Sequence, residues 1–377
     1  MKGVKKAASE AARSHDPLKP INFMKDVYTK LKFFRFREQL DALENGHIAS
    51  PVHVRIKPIN VCDHHCWYCA YHDPNLQLGE AMEYKDRIPR DKLMEIIDDL
   101  AEMKVGAVTF SGGGEPLIYP HITEAVHRIG KHNLKLAALT NASHLNGEVA
   151  EAFARYGTWI RVSIDGWDGP SYAGYRGVKD DEFQRVTHNM KSFVKLKSQC
   201  VLGINYIIDN KNYSHIEEFV GLMKDIGVNH VKVMGVIVSN DGQESNQYHE
   251  GIRRVVREQL ERVRVLESAN FKIIDHYHEF PERFNKGYTT CPSMQFLTII
   301  GADSKVYSCH DKAYTKRGFL GSVVDRSFKE FWFSDENQEK MRSIDPSVDC
   351  NHHCAEHRRN LLLQEYLSAD TRHIEFV

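Results

Sequence analysis

Nowhere does this sequence carry a run of apolar residues approaching the roughly 18 that cross a bilayer. Its first sixteen residues, MKGVKKAASEAARSHD, lack the apolar stretch of a secretory leader, so the expected compartment is the cytoplasm. An excess of one charge is missing too. With 50 Lys plus Arg against 51 Asp plus Glu, no global field draws the chain to nucleic acid or to an anionic membrane, and its partners must be recognised locally. Neither an internal repeat nor a low-complexity linker interrupts the 377 residues, a length ample for one large domain with an appendage or for two ordinary domains. Cysteine is scarce outside two places: seven of the eight fall in two tight groups, and in a reducing compartment such grouping points to metal or redox chemistry rather than disulfides.

Residues 1–50 mix charge with aromatic and aliphatic side chains at roughly helical spacing (Phe23, Val27, Leu31, Phe34, Leu40), which predicts helices lying on a larger body. The basic set Lys25, Lys30, Lys32, Arg35 and Arg37 reads as a solvated helix face, because acidic residues follow at once. From residue 52 a rhythm sets in. Short apolar strands near 52–57, 106–111, 135–140, 159–164, 201–208 and 230–237 alternate with amphipathic stretches such as RDKLMEIIDDLAEMK and SHIEEFVGLMKDIG. Alternation of this kind predicts parallel strands with right-handed crossovers, and six units suit an incomplete barrel better than the usual eight.

Successive strand side chains point to opposite faces, so Val52, Val54 and Ile56 oppose His53, Arg55 and Lys57, and Ile160, Val162 and Ile164 oppose Arg161, Ser163 and Asp165. The polar sets are expected to line the lumen, as a barrel holding a charged ligand requires. Beyond residue 240 the rhythm stops. A polar loop leads to a charged helix (HEGIRRVVREQLERVRVLES), and near Tyr288 a different unit begins, with a hairpin in FLTIIGADSKVYSC and a helix around SFKEFWFSDENQEKMRS.

Directly after the first strand, NVCDHHCWYC sets Cys62, Cys66 and Cys69 as C-x3-C-x2-C. That is the carboxyl end, where such barrels place their chemistry. Thiolates at this spacing select zinc or an iron-sulfur cluster; three thiolates on a four-iron cube leave one iron open, and zinc would recruit His64 or His65 as a fourth ligand. After the second strand, FSGGGEP (Phe110 to Pro116) offers three glycines and a glutamate where backbone must come close to another group.

Together these motifs resemble the radical S-adenosylmethionine (SAM) superfamily, with its C-x3-C-x-aromatic-C loop and GGE-type turn; SIDG (Ser163 to Gly166) and YRG (Tyr175 to Gly177) extend the resemblance over most of residues 52–240. It implies a partial (β/α)6 TIM-like barrel in which Cys62, Cys66 and Cys69 bind a 4Fe-4S cluster whose open iron chelates SAM. Gly112, Gly113, Gly114 and Glu115 would meet the SAM amino group, Tyr68 the adenine, Ser163 the ribose or carboxylate, and Arg176 the carboxylate. Asn141 is a further lumen-facing cofactor residue. Asp63 stands where the family often has Asn, a modest departure. The resemblance further implies reductive cleavage of SAM to a 5'-deoxyadenosyl radical, hydrogen abstraction from a substrate C–H bond, and a reductant such as flavodoxin or ferredoxin.

Cys291, Cys309, Cys350 and Cys354 form the second group, enough for every iron of a cube or for a tetrahedral zinc, with His352 and His353 keeping zinc open. This pattern resembles the superfamily's twitch or SPASM auxiliary-cluster domains, in the shorter version with one auxiliary 4Fe-4S cluster. The expected architecture is an α/β partial barrel (51–240) with an N-terminal helical extension (1–50), a helical linker (241–287) and a small α+β auxiliary-cluster domain (288–377). A fully ligated auxiliary cluster is an electron conduit or a structural staple; a conduit suits a two-electron oxidation of a small polar, carbohydrate-like molecule, with Asp165 and Lys57 as the catalytic bases to consider. Epimerisation ranks below it, because the one spare thiol, Cys200, opens the fifth strand at the amino end. Peptide maturation is the rival within the superfamily, and a zinc-binding scaffold is the rival outside it.

Overall fold

The computed structural model describes residues 28–76, 78–373 and 375–376; Phe23, Lys25 and Val27 lie outside the described residues. The chain folds around one ten-stranded sheet. Its strands are β1 (His53–Ile56), β2 (Ala107–Phe110), β3 (Lys135–Thr140), β4 (Gly157–Ser163), β5 (Val201–Ile208), β6 (His230–Gly235), β7 (Lys272–Asp275), β8 (Leu297–Ile300), β9 (Lys305–Tyr307) and β10 (Phe319–Ser322). Their order is β10-β9-β8-β1-β2-β3-β4-β5-β6-β7, and the run from β8 through β1 to β7 is parallel throughout. The architecture is thus an α/β partial barrel.

Helices α1 (Arg37–Glu44), α2 (Arg90–Glu102), α3 (Ile122–Lys131), α4 (Gly147–Tyr156), α5 (Gly169–Arg176), α6 (Asp181–Lys195), α7 (Ile216–Ile226), α8 (Gly242–Glu250) and α9 (Arg253–Val263) precede the last unit, which adds α10 (Phe328–Trp332), α11 (Asp335–Ser343), α12 (Pro346–Asp349) and α13 (His357–Leu367). The crossover helices form because their apolar residues recur on one stripe. In α7, Ile216, Phe219, Val220 and Met223 are buried together, and Gly227, with φ of 94°, ends the helix in a left-handed conformation that a side chain would oppose. In α5 the Asp168 and Ser171 side chains cap each other's backbone amides, a reciprocal box that starts the helix carrying Arg176.

Strand parity falls as the alternation demands. Val54, Ile56, Ile160, Val162, Val231 and Val233 are buried against the helices in the main core, while His53, Arg55, Arg161, Ser163 and Lys232 alternate with them on the lumen side. Two features lie outside the six-unit expectation. The stretch read as a helical linker also contains β7, a seventh parallel strand whose four residues, Lys-Ile-Ile-Asp, are too short and too flanked by charge to stand out. The last unit is no detached appendage: β8 joins β1 in parallel register from His53↔Leu297 to Ile56↔Ile300, so its hairpin continues the barrel sheet. The charged segment expected as one helix is broken into α8 and α9 at Gly251 and Ile252. At the amino end, Phe33 and Leu40 pack on Phe296 and Leu363, so the described part of the extension clasps the last unit.

Candidate active site

The loop after β1 is stitched to the turn after β2 by backbone. Gly114 N donates to Ile59 O (3.1 Å) and Glu115 N to Val61 O (3.0 Å), which fixes the residues leading into Cys62. Glycine is required there by close approach of backbone to backbone. A Cβ on Gly112 would strike the Gly114 carbonyl, one on Gly113 the Asn60 side chain, and one on Gly114 the Val61 carbonyl. The three glycines therefore first build the cradle in which the cysteine loop sits. Gly114→Ala is expected to force the two loops apart, costing about 1–3 kcal/mol in denaturant unfolding and lowering the iron retained by the three-cysteine loop.

Three side chains tie the same loop to β4 and α5. Tyr68 donates its hydroxyl to Asp165 Oδ2, to which Arg176 Nη2 also donates; Asp165 Oδ1 accepts from Ile207 N (3.0 Å). Arg176 Nη1 reaches Cys66 Sγ at 3.2 Å, and the Arg176 carbonyl accepts from His65 N (2.7 Å). Burial pushes the Asp165 carboxyl up, and Arg176, Tyr68 and the Ile207 amide pull against that rise. Both Asp165 oxygens are thus engaged with protein donors, an arrangement that suits a strut rather than a base.

Glu115 is fully enclosed. Oε1 accepts from Thr140 Oγ1 (2.6 Å) and Leu117 N (3.0 Å), and Oε2 from Asn141 N (2.7 Å). Burial pushes its carboxyl up to about 7, against these three donors. Asn141 passes the connection on: Nδ2 donates to Asp63 Oδ1 (2.8 Å) and Oδ1 accepts from Ser143 N and Oγ. The acid at position 63 is accommodated by donors: burial alone would raise its carboxyl, but Ser143 and Asn141 hold it below the usual range. Ser163 ends β4 half-buried on the lumen side, level with Asn205.

Lys57 stands just past β1, almost wholly buried, donating to Tyr71 Oη and to Gly112 O, both at 2.6 Å. Burial first, then the Arg55 guanidinium, bring its ammonium down to about 7. Cys200 is buried at the amino end of β5 beside Gly157, as a core residue would be.

The second cysteine group gathers from four elements: Cys291 before the turn Pro292–Gln295, Cys309 after β9, Cys350 after α12 and Cys354 before α13. Burial pushes the Cys309 thiol well up, and its three partner cysteines add to the rise, so the four sulfurs share one electrostatic neighbourhood. Lys286 and Lys312 lie beside them, and Asn360 Nδ2 donates to Cys291 Sγ (3.3 Å). None of these three was singled out in the sequence. Ammonium and amide groups around buried thiols are the surroundings that a charged thiolate cluster needs.

Cluster and single-ion chemistry differ in sulfur spacing. A zinc ion with Zn–S bonds of about 2.3 Å holds its thiolates about 3.8 Å apart, whereas the corners of a cube stand wider. Among the described residues, the group of three ligand atoms within 4.8 Å of one another is Asp63, His64 and Glu182, and it contains no thiol. Those three are spent on other contacts, His64 with Glu182 (3.2 Å) and Asp63 with Asn141. The donor sets are three thiols at one site and four at the other, the ligand counts of an open and of a fully ligated four-iron cluster.

The family model of the Radical SAM superfamily matches residues 56–272, more than half of the chain. The chain belongs to this superfamily. A 4Fe-4S cluster and SAM are accordingly its cofactors, and it needs a reductant. It is 24% identical over 206 residues to an S-adenosylmethionine-dependent nucleotide dehydratase of Psychrobacter lutiphocae, covering 51% of this chain and 68% of that protein. To an AdoMet-dependent heme synthase of Methanosarcina barkeri it is 23% identical over 286 residues, covering 67% and 75% respectively. The fold is similar to that of Streptococcus suis SuiB bound to S-adenosylmethionine, with a TM-score of 0.61 at 18% identity, covering 86% of this chain and 75% of that one. No described helix is long and apolar enough to cross a membrane.

Proposed function

We propose that this radical SAM enzyme carries out a two-electron oxidation of a small polar, carbohydrate-like molecule. The observation that carries the reading is the joining of the three-cysteine loop to the glycine turn at the carboxyl ends of β1 and β2, with a second, four-cysteine set in the same chain. When bound, the cluster at Cys62, Cys66 and Cys69 with SAM supplies a carbon radical that takes a hydrogen atom from the substrate, and the group at Cys291, Cys309, Cys350 and Cys354 supplies an electron acceptor.

The protein's own part is to position and to move a proton. Gly112 to Gly114 and Glu115 shape the SAM-binding edge, Tyr68 and Ser163 flank it, and Arg176 holds Cys66 in place. Lys57 is the better of the two base candidates, because Asp165 is locked by three donors whereas an amine near 7 exchanges a proton at neutral pH. The names of the nucleotide dehydratase and heme synthase relatives denote small-molecule chemistry, which supports a metabolite over a peptide substrate. A flavodoxin or ferredoxin as electron donor, and a cytoplasmic setting, complete the proposal.

Anaerobic turnover with deuterated candidate substrates tests it: label is expected in deoxyadenosine, with one ketone or alkene formed per deoxyadenosine. A redox-neutral product overturns the oxidation. For Lys57, product formation is expected to fall as pH drops below about 7. Lys57→Met is expected to stop product while deoxyadenosine is still made; a parallel loss of both makes Lys57 an anchor for Gly112 instead.

A further inference from the structure

Below the level of the cysteine loop, the lumen carries positive charge that the radical chemistry leaves unused. Arg55 on β1, Arg161 on β4 and Lys232 on β6 all alternate away from the helix-packed core and remain half-buried inside the barrel. Register sets two of them deeper than the residues flanking the cofactor edge: Arg55 lies two positions before Lys57, and Arg161 two before Ser163. Lys232 is level with Asn205, hence with Ser163.

Among the described residues, no carboxylate forms an ion pair or hydrogen bond with any of the three, while Glu356 and, more weakly, Asp311 favour the Arg55 charge. Lys232 and Arg55 have no hydrogen-bond or ion-pair partner among the described residues, and Arg55 Nε is a buried donor left unsatisfied. Arg161 meets only neutral groups, donating to the Tyr28 hydroxyl (3.1 Å) and lying over the Tyr28 and Trp159 rings. The acids nearest this region are committed elsewhere. Glu279 is held by Lys30 (2.9 Å), Arg283 (2.7 Å) and Arg358 (3.2 Å), Glu356 by Arg359 (2.5 Å), and Asp311 accepts from Ala355 N (2.8 Å). Burial first, and then four cations, Arg161, Arg283, Arg55 and Arg359, hold the Lys232 ammonium well below its ordinary value.

Buried cations are ordinarily paired, because an unpaired one loses hydration with nothing in return. Three converging on one interior space favour a further anion beyond Glu356 and Asp311, and guanidinium pairs match the forked geometry of an oxyanion. We propose that Arg55, Arg161 and Lys232 form an oxyanion subsite that anchors a phosphate or carboxylate group of the substrate. This deepens the proposed function and rests on it: the substrate is a small anionic metabolite, held by its charged end in the lumen while a C–H bond faces the cofactor edge.

Thermal unfolding of the anaerobic holoenzyme tests this, with inorganic phosphate, pyrophosphate and succinate as probes against chloride at matched ionic strength. At least one probe is expected to raise the midpoint. A response to the phosphates alone assigns a phosphorylated substrate, and a response to succinate alone a carboxylated one. Lys232→Met and, separately, Arg161→Met are expected to weaken the apparent affinity about tenfold or more, and Lys232→Met to unfold at a higher temperature than the parent without any probe. No response beyond chloride, an unchanged response in both variants, or abolition of the response by saturating SAM overturns the subsite. SAM cleavage, measured on the unaltered protein, separates the two levels: a protein that cleaves SAM and ignores anions sinks the subsite alone, and one that binds anions and leaves SAM intact sinks the enzymatic reading.

Discussion

Replacing Cys62, Cys66 and Cys69 together by alanine is expected to abolish deoxyadenosine formation while leaving about four of an initial eight or so iron atoms per chain and part of the absorption near 400 nm. The two halves of this result follow from separate supports. The first thiols hang on a loop held by Gly114, Glu115, Tyr68 and Arg176, all within the barrel. The second set is held by Lys286, whose Nζ donates to Phe284 O (2.6 Å) and to His352 O, by Lys312 donating to Asp349 O, and by Asn360 at Cys291. Among the described residues no hydrogen bond joins the two sets directly, so either is expected to assemble without the other. The reciprocal variant, Cys309→Ala with Cys354→Ala, is expected to lose the other iron share and retain deoxyadenosine formation. Residual cleavage in the triple variant would sink the assignment of the radical cluster, and loss of all iron would sink the independence of the two.

The barrel was legible because its signals are periodic and local. Six strands and their crossover helices each carry an apolar stripe or alternation long enough to register, and the lumen set of His53, Arg55 and Lys57 follows from parity alone. Lys232 obeys the same rule in VKVM but attracts no notice, since one lysine between valines announces nothing until Arg55 and Arg161 are seen on the same interior surface. What the sequence hides is pairing between distant segments. No local feature of Leu297–Ile300 says that it will lie beside His53–Ile56, or that β7 will extend the sheet at the other edge. The cysteine spacing declares ligands, yet the roles of Glu115 and Asn141 depend on contacts 26 and 78 positions away, to Asn141 and Asp63. A glutamate after three glycines reads as a ligand's partner; its burial against Thr140, Asn141 and Leu117 makes it also the bracket that holds β2 and β3 in step.

Arg176→Met is expected to lower the unfolding free energy by about 3–5 kcal/mol, the cost of leaving one member of a buried ion pair behind. Asp165 would keep the Tyr68 hydroxyl and the Ile207 amide but lose the guanidinium that balances its charge. The double variant Arg176→Met with Asp165→Asn tests that cause: it removes the stranded charge, keeps an oxygen for Ile207 N, and is expected to recover a substantial part of the loss. Denaturant titration of the anaerobic protein reads both values. A merely spatial role for Arg176 predicts no recovery, because the cavity beside Tyr172 and Tyr68 is the same in the two variants. A second readout reports on the cofactor side. Arg176 Nη1 lies 3.2 Å from Cys66 Sγ, and removing a charged donor from a cluster thiolate makes the reduced, more negative state harder to reach. The potential of the three-cysteine cluster, followed by spectroscopic redox titration, is therefore expected to fall in both variants, whereas stability is expected to recover only in the double one. A single salt bridge would thus serve two ends, holding β4, α5 and the cysteine loop together and keeping the radical-generating cluster reducible, and the divergence of the two measurements is what distinguishes them.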